Sequence, residues 1–238
     1  MSPQTEEIMY RYLFILVFAS TVLRPADLIA AEQVQKQKDP NKTIFNLLYL
    51  RKFKPALSLL KSLSPDSPYH RDLYMGVQSQ ILVYEEKWNE IIQLRVPSEI
   101  GTFGKTLVFI AKGMAHAHKQ DMQQAIEHIK LINELKSSKD YKEFKKEIDF
   151  SSLFLSGYTR LRQRKFHNTL RLFKRSVKIE EKFANENAYS WVYNALFYLG
   201  LTYEISARKH EAVARYKKVL ERWPNMERAA LKIKEINI

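Results

Sequence analysis

Cysteine is absent from the 238 residues, which excludes disulfides, thiolate metal sites, a Cys nucleophile and lipid attachment through a thiol. Glycine is scarce, at 6 in the whole chain, too few for the turn-rich sandwiches, barrels and dinucleotide-binding sheets. The apolar run Tyr12 to Leu23 stops at Arg24, short of the roughly 20 residues that a membrane-spanning helix takes. Acid is also missing over one long interval: no Asp or Glu stands between Asp149 and Glu180.

What remains is 45% hydrophobic and 27% charged, rich in Leu, Ile, Lys and Glu, and predicts an all-α protein with a substantial core. The net charge of +13 points to an anionic partner. Nucleic acid, anionic lipid, acidic polysaccharide and acidic protein all fit that sign.

The amino terminus has a secretory layout: basic Arg11, the apolar run, a polar turn, then small Ala30 and Ala31. Residues 1–31 are therefore read as a signal peptide or hydrophobic amino-terminal segment, with a retained anchor or a buried helix as the alternatives. Glu6, Glu7 and bulky Ile29 fit a leader less well. Those 31 residues carry two basic and three acidic side chains, so the basicity belongs to residues 32–238.

A spacing recurs along that remainder. Gly200 precedes Ala212 by 12 positions in ALFYLGLTYEISARKHEAVARYKKVLERWP, and Gly157 and Thr169, then Gly113 and Ala125, repeat the interval. A large residue follows four on, at Tyr216, Phe173 and Ile129. Weaker copies place Trp88 before Ile91, and Phe53 before Ala56, Leu60 and Pro68. Small residues let antiparallel helices cross closely, and the large ones are expected to fill the gap to the next pair. The wider spacing of the last anchors is expected to lengthen the helices by about one turn.

This pattern resembles the tetratricopeptide (TPR) family over residues 43 to 238, most closely in the final copy. The resemblance implies an α-solenoid of about five helix hairpins, sealed by a carboxy-terminal capping helix in MERAALKIKEINI with Ala230, Ile233 and Ile236 on one side. It also implies a groove that holds a protein or peptide segment, lined here by Leu73, Gln80, Tyr84, Ile110, Met114, His118, Phe154, Tyr158, Arg162, Asn194, Phe197 and Leu201. That lining is apolar and aromatic, without the Lys, Asn and Arg set that clamps a terminal carboxylate in chaperone-binding members. The segment EAVARYKKVLERWPNMERAALKI is similar to the TPRs of exported bacterial envelope proteins. The expectation is a non-catalytic adaptor or scaffold in the periplasm or cell envelope, requiring no cofactor and, once a leader is removed, no membrane span.

EIGTFGKTL contains Gly104-Lys105-Thr106, the tail of a phosphate-binding loop. The leading glycine of such a loop is replaced by Glu99, and Gly101 comes two residues late. A helix start, with Thr102 as its cap, fits better. His116 and His118 lie two apart, so a helix points them away from one another and they cannot share a metal. No nucleophile, base and orienting residue suggest themselves.

The acid-free interval is the second candidate surface. Arg160, Arg164 and Lys165 precede Arg171, Lys174, Arg175 and Lys178, and these last four share one helix face, opposite Leu170, Phe173 and Val177. That face suits phosphate or carboxylate recognition. A basic anion-binding module, acting on nucleic acid, acidic polysaccharide or a membrane surface, is the alternative function; no nucleic-acid recognition motif accompanies the charge.

Overall fold

The computed structural model describes residues 43, 44, 47, 52–63, 67–181, 194–224 and 226–236. The expected leader lies outside them. Among the described residues the fold is all-helical without strands, in ten α-helices. They are α1 Phe53–Leu63, α2 Pro68–Tyr84, α3 Trp88–Gln93, α4 Thr102–His118 and α5 Met122–Glu134. A 3₁₀ turn at Leu135–Ser137 leads on to α6 Tyr141–Arg162, α7 Phe166–Glu180, α8 Ala195–Ile205, α9 Lys209–Arg222 and α10 Glu227–Ile236. None of these is long and apolar enough to cross a membrane.

Helix starts arise from local chemistry. Ser67 accepts from the His70 amide at 3.4 Å, and Pro68 opens α2, where a missing N–H does no harm. Pro68 thus begins a helix. Asp121 and Asn194 cap α5 and α8 through the amides of Gln124 (3.2 Å) and Phe197 (2.7 Å).

The helices pack as neighbouring pairs: α2 with α3, α4 with α5, α6 with α7, α8 with α9. Each pair turns in the same way. Glu86, Gln120, Arg164 and Ala207 all have φ between 57° and 65°, the left-handed region. The amide of each donates to the carbonyl three residues back, at Val83, Ala117, Leu161 and Glu204. The next amide reaches five back, to Leu82, His116, Arg160 and Tyr203. This double bond pattern satisfies the last carbonyls of the first helix and ends it on a left-handed residue.

Close contact within the pairs comes from the anchor positions. Ala56, Ile91, Ala125, Thr169 and Ala212 are all fully buried. The large residues do more than the sequence suggested. Phe173 and Tyr216 lie over the glycine of their own pair: a Cβ on Gly157 would stand 3.0 Å from Phe173, and one on Gly200 2.7 Å from Tyr216. Phe173 also reaches the next pair, stacking on Tyr198 at 5.8 Å.

Successive pairs join through α3 against α4, α5 against α6 and α7 against α8, while α2, α4 and α6 lie side by side. At α8 the row changes, because α8 seats on α7 and barely touches α6. The wider anchor spacing also resolves differently in its two instances. α6 is lengthened to 22 residues, whereas α8 has 11, and residues 182–193 before it lie outside the described set. On α10 the buried positions are Ala229 and Ile236, so the stripe passes through Ala229 and not through Ala230.

An L-residue held in the left-handed region costs about 1 kcal/mol relative to glycine. Ala207→Gly, at an exposed position, is therefore expected to stabilise the protein by up to about 1 kcal/mol. Thermal unfolding checks this; a lowered midpoint would contradict the turn geometry.

Candidate functional site

The Gly-Lys-Thr stretch is the amino-terminal turn of α4, which begins at Thr102. A helix start exposes unpaired amides and attracts an anion. Here the anion is internal. Asp72, on α2, accepts from the Gly101 amide at 2.9 Å and the Gly104 amide at 3.3 Å. A Cβ on Gly101 would stand 2.5 Å from the Asp72 carboxylate, and one on Gly104 3.1 Å from the Asp72 Cα, so both glycines admit the capping residue. Burial raises the Asp72 pKa, and the two amides and Lys105 oppose that shift. Thr102 is not the cap; its hydroxyl is 3.3 Å from the Asp140 carboxylate.

The residues expected to line a groove divide into two groups. Ile110, Met114 and Phe154 are fully buried, and Tyr158, Asn194 and Phe197 nearly so, as are Leu73 and Gln80. These side chains pack the interior. Phe154 lies 5.6 Å from Phe173 and 5.2 Å from Tyr198, and Tyr158 lies 5.5 Å from Tyr198. Asn194 caps α8. The set is aromatic because consecutive pairs need large side chains between them. Tyr84, His118, Arg162 and Leu201 remain partly exposed.

Three of those four meet further polar groups. The His118 ring stacks on Trp88 at 4.4 Å, and its carbonyl accepts from Arg162 Nη2 at 3.2 Å. Arg162 Nε is buried and has no hydrogen-bond partner among the described residues. Tyr84 is held by Arg228 of α10, 144 positions away in sequence. The guanidinium donates to the Tyr84 carbonyl at 2.7 Å, stands 5.0 Å from the ring centroid and lies 3.7 Å from the Glu86 carboxylate. The last helix is thereby clasped to the first left-handed turn. Nothing in the sequence spacing announced this contact. The buried Tyr198 hydroxyl, whose charge Arg228, Glu86 and Arg162 influence, is pushed up to about 12 by burial. Burial likewise raises Tyr158.

His116 and His118 do face apart: His116 stacks on His128 at 5.3 Å and places Nδ1 3.2 Å from Asp121. On the outer side of α7, Arg171, Lys174, Arg175 and Lys178 are exposed, together with Arg164 and Lys165 at the preceding turn. Arg160 is partly buried and donates to Gln163 at 2.7 Å.

Glu180, at the end of α7, is buried, and neither carboxylate oxygen has a hydrogen-bond partner among the described residues. Burial pushes its pKa up to about 8, against the pull of Arg222 and of the Ala195 and Leu196 amides in the first turn of α8. The neutral acid is the form that fits.

Against this geometry, no family model, curated protein or solved structure matches the chain. The class that the fold defines is an all-helical protein of helices packed in neighbouring pairs.

The clasp and the buried acid are each open to a direct test. Arg228→Ala loses a charge-assisted hydrogen bond and a cation–π contact, and is expected to destabilise by about 1–2 kcal/mol. Glu86→Ala loses only the long, exposed ion pair and should cost under about 1 kcal/mol, so equal losses in denaturant titrations would contradict the clasp. For Glu180, the unfolded chain ionises near pH 4.5 and the folded one near 8. The stability it allows is complete below the lower value and declines as pH rises through the upper. Glu180→Gln should flatten that decline in stability measured across pH; unchanged slopes would contradict a buried neutral acid.

Proposed function

We propose that the protein is a non-catalytic adaptor: a TPR-like α-solenoid of about five hairpins, closed by α10, that holds a segment of a partner protein. The observation that carries this reading is the shared turn geometry at Glu86, Gln120, Arg164 and Ala207. A chain that reverses four times in one way, with α2, α4 and α6 side by side, supports hairpins whose first helices share an inner side as far as α6. A non-catalytic role is supported by Asp72, which occupies the anion position that the Gly-Lys-Thr stretch offers.

Because the aromatic interior is committed to packing, partner contacts are assigned to Tyr84, His118, Arg162 and Leu201. Arg162, with its buried unpaired Nε, is the donor with unused capacity. A partner segment that carries a carbonyl or carboxylate alongside an apolar side chain suits this mixture of guanidinium, rings and Leu201. The secretory layout of residues 9–31, with the resemblance of residues 211–233 to exported envelope TPRs, supports a site of action in the cell envelope. The alternative reading is a basic anion-binding module acting through the exposed cations of α7.

A photo-crosslinking residue placed singly at Tyr84, His118 or Arg162 is expected to capture one and the same protein in cells, whereas one at the exposed Gln123 of α5 captures none. Equal capture from every position, or none from the three inner ones, would contradict the adaptor reading. Sequencing the mature amino terminus from an envelope fraction tests the compartment separately.

A further inference from the structure

Many surface cations of this molecule are matched by acids. Lys87 pairs with Glu85 at 2.8 Å, Lys130 with Glu127 at 3.0 Å, Lys136 with Asp149 at 3.2 Å, and Arg208 with Glu211 at 2.6 Å. Lys232 bridges Glu204 and Glu235 at 3.1 and 2.8 Å. The outer side of α7 departs from this pattern. Arg171, Lys174, Arg175 and Lys178 are exposed at i, i+3, i+4 and i+7, and Arg164 and Lys165 extend the basic surface at the preceding turn. None of the six has an ion-pair partner among the described residues. The carboxylate of α7 itself, Glu180, is turned into the interior and screens none of them.

We propose that this face of α7 docks the protein on an anionic phospholipid surface. The absence of apolar groups on the face argues against a protein interface, whose centre is normally apolar or aromatic. Phe173 and Val177 are buried, Phe166, Leu170 and Ile179 pack against the core, Leu172 is half-buried, and among the described residues the exposed large hydrophobic side chains, Tyr69, Ile126, Ile205 and Leu231, all lie on other elements. A single-stranded nucleic acid relies on exposed aromatic rings for base stacking, and no Phe, Tyr or Trp is exposed on α7. A lipid surface needs neither feature. Its headgroups move laterally and gather under whatever spacing the cations have, here a row about 10 Å long at 1.5 Å per residue. Clusters of four to eight basic residues on one helix are the size that such surfaces hold.

The proposal does not depend on the adaptor reading, and its test leaves the inner side untouched. The full chain is sedimented with vesicles of phosphatidylcholine alone, or of phosphatidylcholine mixed with phosphatidylglycerol. Binding is expected only to the mixed vesicles and should fall steeply as salt is raised. Reversing the row as R171E/K174E/R175E/K178E should lower partitioning at least about tenfold. Lys52, Lys54, Lys119 and Lys139 are exposed but scattered over other parts of the chain, and reversing these four changes net charge equally. That control should keep partitioning within about threefold of the parent. Circular dichroism verifies that both variants stay helical. Equal loss in the two variants would show a net-charge effect and overturn the proposal. So would binding to neutral vesicles, which marks apolar insertion, absence of binding to either vesicle, or binding to a duplex DNA oligonucleotide without binding to vesicles.

Discussion

One backbone constraint organises this molecule: a residue held in the left-handed region at the turn within each of four helix pairs. Glu86, Gln120, Arg164 and Ala207 are not glycines, so each turn carries a small conformational cost that the contacts around it must offset. The offset lies in the satisfied helix carbonyls and in the close approach of the two helices that leave the turn. Within two of the pairs, Gly157 and Gly200 lie under the rings of Phe173 and Tyr216. Fixing the turn fixes the angle of the pair, and fixing the pair determines which side chains face the next one.

The stacking of pairs divides labour between the faces of the helices. The aromatic side chains lock neighbouring pairs together through Phe154, Phe173 and Tyr198. Once those rings are committed to packing, the surface left for the proposed partner is Arg162, His118, Tyr84 and Leu201. On the outer side the rule inverts, and α7 turns its apolar stripe inward and leaves an unmatched row of cations in water. The proposed holding side and the proposed anchoring side thus draw on different faces of the helices.

Local information is legible in the sequence, and long-range information mostly is not. The spacing of 12 between Gly200 and Ala212 suffices for paired helices, because periodicity and small residues report on a single pair. The capping role of Asn194, three residues before Phe197, is also visible in principle, and a groove assignment at that position hides it. Family resemblance puts Phe154, Tyr158 and Phe197 in the same groove, although large aromatics at helical spacing are first of all core residues. The Asp72 cap on α4 lies 29 and 32 residues from its partners, and Arg228 lies 144 from Tyr84. No periodicity encodes such distances; they arise only once the pairs have stacked. The left-handed turns are equally hidden, since Glu, Gln, Arg and Ala share no side-chain chemistry that marks them.

The absence of cysteine makes the closed arrangement directly measurable, because two introduced thiols are the only ones a spin label can find. Labels at Glu90 on α3 and Leu231 on α10, both exposed, report the separation of the two elements that Arg228 brings together. Pulsed electron spin resonance should give one narrow distance distribution in the parent chain and a broader, longer one in Arg228→Ala. A broad distribution that is the same in both would mean that the last helix is not held against the first turn, and the closed array would have to be abandoned.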